Sequence, residues 1–182
     1  KAEGVKAVAI GFLYGFVRTE HEETARRIVA EEFPEAFICT GHEVAPEFRE
    51  YERMSTAVVN AYLGPVMQRY IRRLAERLAG LGVTATPHLT QSNGGVIGFD
   101  AAARLPVRTV LSGPSTGVVS AQAVGRMAGF PNVITFDMGG TSSDVALLAG
   151  GQCGLVAHTA PSGQTSGVKR LLCASKPYKA PS

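Results

Sequence analysis

The chain has no tryptophan, only 3 cysteines and 4 histidines in 182 residues, and no apolar run of membrane-spanning length. Cys39, Cys153 and Cys173 are odd in number and far apart, with no C-x-x-C pair, so neither a disulfide framework nor a zinc site is expected. His42, His88 and His158 lack the H-x-x-x-H spacing that places two ligands on one helix face, and a structural or surface role is expected for each. The absence of a membrane-length run argues against a membrane span, and the reduced-thiol pattern fits a cytoplasmic protein. The first residue, Lys1, is neither an initiator methionine nor the start of a signal-peptide pattern, so the chain is expected to begin inside a longer protein.

Acidic residues are missing from 159–182, which carries Lys169, Arg170, Lys176 and Lys179. The formal net charge of +3 is therefore a property of that tail, and the rest is near neutral. A basic face for nucleic acid is not expected. Hydrophobic residues make up 45% of the chain, enough for a real core.

The apolar run 5–13 predicts a buried strand, Glu20 to Phe33 a helix ended by Pro34, and 36–40 a second strand, a β-α-β opening. From Arg49 to Gly80, Val58, Val59, Tyr62, Leu63, Val66, Tyr70, Ile71, Leu74 and Leu78 recur at helical spacing and mark the expected apolar face. Gly64-Pro65 predicts a kink there, or two abutting helices. A short strand at 87–90, a glycine loop at 91–95, a helical turn at 100–104, a strand at 107–111 and a small-residue helix over 114–127 follow. Residues 132–137 and 144–148 then read as strands around a glycine turn, Gly150-Gly151 as a second turn and 152–157 as a third strand. Beyond Thr159 the composition reads as linker-like or disordered.

The hairpin Phe136-Asp137-Met138-Gly139-Gly140-Thr141-Ser142-Ser143-Asp144 carries the chemistry. Adjacent glycines let backbone N–H groups face an anion, and the Thr141 and Ser142 hydroxyls can donate to phosphate oxygens. Asp137, at the strand end, suits a hydrated Mg²⁺ or a water beside a phosphate. The same nine residues also suit an ordinary hairpin whose glycines satisfy positive φ. Gln91, Ser92 and Asn93 are polar groups in a glycine loop, equally a turn or a substrate contact. Ser115 is not in a G-x-S-x-G elbow, which argues against a serine nucleophile.

A small-residue helix, a short loop and an apolar strand entering D-x-G-G-T resemble the entrance to the second lobe of the actin-like ATPase fold of actin, Hsp70 and the sugar kinases. The blocks Pro46-Glu47-Phe48-Arg49-Glu50-Tyr51-Glu52-Arg53, 55–63, Gln91 to Gly95, Leu111-Ser112-Gly113-Pro114 and Phe136 to Val145, in that order, resemble the hydantoinase A/5-oxoprolinase family, which includes acetone carboxylase subunits. The resemblance implies an α/β chain made of the end of a first lobe (1–110), a crossover helix and phosphate hairpin opening a second lobe (111–158), and a tail (159–182). It also implies ATP and Mg²⁺ as cofactors and the ATP-dependent opening of a hydantoin or 5-oxoproline ring through carbonyl phosphorylation. Asp137 and Asp144 would be the catalytic carboxylates, Asp137 the metal-holding one; Gly139, Gly140, Thr141 and Ser142 would hold phosphate, and Gln91, Ser92 and Asn93 the substrate. A hydantoinase B-type subunit or fused region is the expected partner. Ketone carboxylation and a non-catalytic actin-like module are the alternatives.

The family's earlier D-x-G-G-T-x-x-D loop and its later G-A-G-G-G-S segment have no counterpart here. With one phosphate loop, this chain alone is expected to lack ring-opening activity. Ser115, Thr116 and Ser120 replace the usual small Ala or Gly, and Ser143 a common Thr.

Overall fold

A computed structural model describes residues 3–140 and 143–159, the last six of these by backbone only. The thiol Cys173 and the expected tail from residue 160 onward lie outside the described residues. The architecture is mixed α/β, in two compact units: Lys1–His88 with Gly98–Val107, and Leu89–Ile97 with Arg108–Ser182.

In the first unit β1 (Ala7–Ile10) and β2 (Phe37–Thr40) pair in parallel, Ala7 opposite Phe37 and Ile10 opposite Thr40, with α1 (Glu20–Glu32) as the crossover. A short α2 (Gly41–Val44) follows β2, and α3 (Glu50–Gly80) packs against the strands. Phe37, Cys39, Val44, Ala57, Ala61 and Val107 form the core.

Of the two expected outcomes at Gly64-Pro65, two abutting helices are not formed: α3 is one helix of 31 residues with Pro65 inside it. Proline removes a hydrogen bond at a cost of about 3 kcal/mol, and close packing offsets it: Gly64 lies so near the Phe37 ring that an added methyl would collide with it. The buried face matches the expected one only in part, at Ile71 and the half-buried Leu63, Leu74 and Leu78. Arg53, Ala57, Asn60, Ala61, Gly64 and Ile71 are buried, while Val58, Val59, Tyr62, Val66 and Tyr70 are exposed. In α1, likewise, Ile28 is exposed and Glu22 is the buried residue.

Buried charge organises this unit. Glu22 accepts the backbone N–H groups of Phe12 (3.0 Å) and His42 (2.8 Å) and lies 2.8 Å from His42 Nδ1. Arg53, in the charged Pro46–Arg53 block, is fully buried, donates to the carbonyls of Glu47 (2.8 Å) and Phe12 (3.0 Å) and pairs with Glu50 (3.4 Å). The backbone of Phe12 is thus held from both sides by ionised groups. Asn60 donates to the Arg104 carbonyl (3.0 Å) and accepts the Val107 N–H (3.1 Å), tying α3 to the end of α4 (Phe99–Arg104). Here the expected strand at 107–111 gives way to a 3-10 turn, Pro106–Thr109. The proline ring fixes φ, and Val107's N–H goes to Asn60 rather than to a neighbouring strand.

In the second unit β5 (Val133–Met138), β6 (Ser143–Ala149) and β7 (Gln152–Thr159) form an antiparallel meander. Helix α5 (Ser112–Met127) covers it, burying Val118 against Ala146 and Leu148. Gly150 and Gly151, both at positive φ, make the β6–β7 turn, and the Gly151 carbonyl accepts from Gln122 (2.6 Å) and Arg126 (2.9 Å) on α5. The short strands β3 (His88–Thr90) and β4 (Val96–Gly98) pair around the 91–95 loop.

Candidate functional site

The β5–β6 register places Val133 opposite Leu148, Thr135 opposite Ala146 and Asp137 opposite Asp144. Residues two apart on a strand share a face, so the face that packs on α5 ends, at the glycine turn, in two facing carboxylates. Like charges directly opposite each other across a strand pair are destabilising. Two such carboxylates suit Mg²⁺, which takes one or two carboxylates and completes its shell with water and phosphate oxygens. Asp137 is exposed and Asp144 partly buried. Gly139 and Gly140 are exposed, and a side chain at Gly140 would meet nothing, so the turn leaves its backbone open on that side. Thr141 and Ser142, expected to complete the phosphate cradle, lie outside the described residues.

The 91–95 loop belongs to the same unit as the hairpin, although the sequence reading groups it with the first 110 residues. Gly94 has φ +81°, and an added methyl would strike Val119 of α5, so this position demands glycine on both conformational and steric grounds. Gln91 donates from Nε2 to the Val96 carbonyl (2.8 Å), and Asn93 Oδ1 accepts the Gly95 N–H (2.9 Å). Ser92 is buried at 5% exposure, its hydroxyl directed at the carbonyls of Arg108 and Val110. The three side chains therefore shape the loop first. Among the described residues the side-chain amide nitrogen of Asn93 and the side-chain amide oxygen of Gln91 make no hydrogen bond, while the Gln91 backbone carbonyl accepts the Gly94 N–H (3.0 Å).

The start of α5 completes this set. Leu111 precedes it at φ +58°, and no side chain caps its first turn. Ser115 donates to the Leu111 carbonyl (3.0 Å) and Thr116 to that of Ser112 (2.7 Å). Ser115 is thus bonded into its own helix, in keeping with the absence of an elbow motif. No group of three or more His, Cys, Asp or Glu side chains able to hold a metal occurs among the described residues. Nor, among them, is any helix long and apolar enough to cross a membrane. The buried cluster of Glu22, His42 and Arg53 was not legible beforehand: its members are far apart in sequence, and only the glycines at 11, 15 and 41, each closely approached by Met54, Glu22 or Arg53, could have signalled it.

Three sequence blocks thus converge on one α/β unit: a glycine loop, a helix start made of small residues, and a hairpin with facing carboxylates. Residues 53–175 match the model of the hydantoinase/oxoprolinase family, and the chain belongs to that family. Among its relatives, the caprolactamase subunit alpha of Pseudomonas jessenii is 42% identical over 152 residues, covering 84% of this chain and 22% of that subunit. The crystal structure of the ATP-dependent caprolactamase from Pseudomonas jessenii superposes with a TM-score of 0.63 at 41% identity, over 80% of this chain and 21% of that one. The nucleotide-free structure of acetone carboxylase, from work on ATP-dependent acetone carboxylation, gives a TM-score of 0.75 at 26% identity, over 85% of this chain and 22% of that one. The chain spans about a fifth of the length of these relatives.

Proposed function

We propose that this chain carries one phosphate-binding half of an ATP-dependent enzyme that opens a cyclic amide, built on the actin-like ATPase plan and acting in the cytoplasm with a hydantoinase B-type subunit or fused region. The observation that carries the reading is the facing pair Asp137 and Asp144 astride a glycine turn, in a chain 42% identical to a caprolactamase subunit. In that reaction the amide carbonyl oxygen would take the γ-phosphoryl group, with ADP leaving; water adds to the activated carbon; the C–N bond breaks with its electron pair going to nitrogen, which takes a proton, leaving an acyl phosphate; and a second water releases phosphate and the carboxylate. In such a reaction the protein mainly positions groups and offsets charge. Asp137 would hold Mg²⁺ or orient water, with Asp144 as the supporting carboxylate. Backbone N–H groups at Gly139 and Gly140 and the hydroxyls of Thr141 and Ser142 cradle phosphate. Gln91, Ser92 and Asn93 form the substrate-side loop, with the Asn93 amide nitrogen as the available donor. Bound Mg²⁺ would neutralise charge on the transferring phosphoryl group.

A second reading, ATP-dependent carboxylation of a ketone, is favoured by one observation: the acetone carboxylase structure superposes better than the caprolactamase one, despite lower identity. Turnover of the full-length protein on lactams, hydantoin and 5-oxoproline against ketone plus bicarbonate separates the two. The shared phosphate chemistry is tested by Asp137→Asn in the full-length protein. This keeps side-chain shape and deletes the charge, and should lower ATP turnover by about 10²-fold or more with the fold intact by circular dichroism. Near-normal ATP hydrolysis would remove Asp137 from the mechanism.

A further inference from the structure

Ring opening requires a proton at the departing nitrogen, and no residue assigned above supplies it. Asp137 and Asp144 are carboxylates at the phosphate turn, and Gln91, Ser92 and Asn93 offer only amides and a hydroxyl. The step calls for a positioned general acid, a role histidine fills more often than any other residue. His42 carries a carboxylate at each ring nitrogen: Glu22 Oε2 lies 2.8 Å from Nδ1, and Glu23 Oε1 lies 3.1 Å from Nε2. Ionised carboxylates only accept, so with both contacts made both nitrogens are donors. The two contacts differ in kind. Glu22 is fully buried and also takes the backbone N–H groups of Phe12 and His42, so it cannot turn away. Glu23 is half exposed, and besides the ring its carboxylate meets only Arg26, at 3.7 Å, among the described residues. Nδ1 is thus fixed and Nε2 is the nitrogen that can give up its proton, the division of labour by which a buried carboxylate sets up a catalytic imidazole.

His42 follows Gly41 at the carboxyl end of β2, which runs parallel to β1, and in open α/β sheets ligands bind outside the carboxyl ends of the strands. Backbone strain gathers here. Tyr14 at φ +57° and Arg49 at φ +80° stand in the loops after β1 and before α3; Glu50 holds the Tyr14 N–H, and Arg53 holds the loop carbonyls of Phe12 and Glu47. Thr40, last in β2, is fully buried, and its hydroxyl, like Arg53 Nε, has no partner among the described residues. Strain and unanswered polarity concentrate at functional sites, where packing alone would remove them. The charges facing the ring are Glu22, Glu23 and Arg26 of α1, Glu43 of α2, which pairs with Arg26 (3.0 Å), and Arg53 of α3, whose side chain passes Gly41.

We propose that His42 is the general acid of ring opening: Nε2 gives its proton to the departing nitrogen as the C–N bond breaks, solvent restores it, and Glu22 holds the ring through Nδ1. This rests on the cyclic-amide reading above. The test is His42→Asn in the full-length protein, supplied with lactams, hydantoin and 5-oxoproline. The asparagine side-chain NH₂ falls where Nδ1 stands, so the bond to Glu22 survives and only Nε2 is lost. Ring opening should fall by about 10²–10⁴-fold, with the thermal midpoint kept. ADP should still form, because phosphoryl transfer precedes the proton step. Near-normal ring opening makes His42 a structural bridge and overturns the proposal. So does loss of ADP formation at an unchanged midpoint, which would move His42 to the earlier step. Should the variant melt well below wild type, Glu23→Gln decides instead, since that side chain is half exposed and its loss leaves the fold alone. A neighbouring carboxylate favours an imidazolium, so in Glu23→Gln the alkaline fall of kcat/KM should move to lower pH; an unmoved limb overturns the proposal. A wild type that opens no cyclic amide fails the reading above and this inference with it, whereas a wild type that does, beside an equally active His42→Asn, fails this inference alone.

Discussion

Replacing Glu22 by Gln tests whether buried charge organises the first unit. Glu22 is fully buried and takes hydrogen bonds from two backbone N–H groups, with the His42 ring at 2.8 Å. Burial pushes its carboxyl up, but the backbone bonds from His42 and Phe12, with the His42 side chain, outweigh it and hold the group below its ordinary 4.5. Glutamine keeps one acceptor oxygen, and its NH₂ must face a donor, so at least one buried donor loses its partner. An orphaned donor costs about 1–3 kcal/mol and the lost charge assistance adds to it, giving a destabilisation of about 3 kcal/mol. Against a typical total of roughly 5–15 kcal/mol this is large. With a urea m-value near 2 kcal/mol per M, the unfolding midpoint should fall by about 1.5 M. The pH dependence has a definite sign: a carboxyl with a depressed folded pKa stabilises above its unfolded value of about 4.5 and loses that contribution as pH falls through the folded value. Wild type should therefore lose its margin over Glu22→Gln on acidification below 4.5. Urea titrations of both proteins across that range decide it; equal midpoints at neutral pH, or a margin that survives at low pH, would refute the reasoning.

Gly64→Ala should destabilise the chain by about 1–3 kcal/mol through overpacking against the buried Phe37 ring. That outweighs the roughly 1 kcal/mol of helix propensity alanine gains over glycine, so a rise in thermal midpoint would contradict the packing. Burial pushes the Cys39 thiol up, and Cys153 is exposed. A thiol-exchange reagent at pH 8 should therefore modify Cys153 first and reach Cys39 only in denaturant, as peptide mass mapping can read; comparable rates would place Cys39 nearer solvent than the structure has it.

Most strands and helices were legible because local pattern and turn chemistry agree with the fold: Pro34 follows α1, and Gly150-Gly151 turns β6 into β7, whereas the three-residue β4 was too short to show a pattern. The hairpin bearing Asp137 and Asp144 was legible for the same reason, since two strands flanking a glycine turn fix their own register. Long-range competition erased the signal elsewhere. The 107–111 run has strand composition, yet Asn60, 47 residues earlier, takes the Val107 N–H. Gly64-Pro65 reads locally as a kink or a junction of two helices, yet one helix runs through it, with Gly64 packed on Phe37, on a strand that periodicity cannot connect to it.

The misread face of α3 has a deeper cause. Hydrophobic periodicity finds an apolar stripe; it does not say whether that stripe meets the chain's own core or something else. Here the strands come so close that Ala57, Ala61 and Gly64 fill the inner face, leaving no room for tyrosines. The polar inner residues are admitted because most of their polar atoms are answered: Asn60 by two backbone groups, and Arg53 by the carbonyls of Glu47 and Phe12 and the Glu50 carboxylate, while its buried Nε has no partner among the described residues. A buried ion costs several kcal/mol unless it is paired and hydrogen-bonded, so the polar inner face is itself a specification, fixing how α3 sits on β1 and β2. With the inner face fixed by small size and satisfied polarity, the large apolar residues of the same helix are left to turn outward. Much of the helical signal of α3, from Val58 to Tyr70, thus describes an outer face, with Ile71 its buried exception.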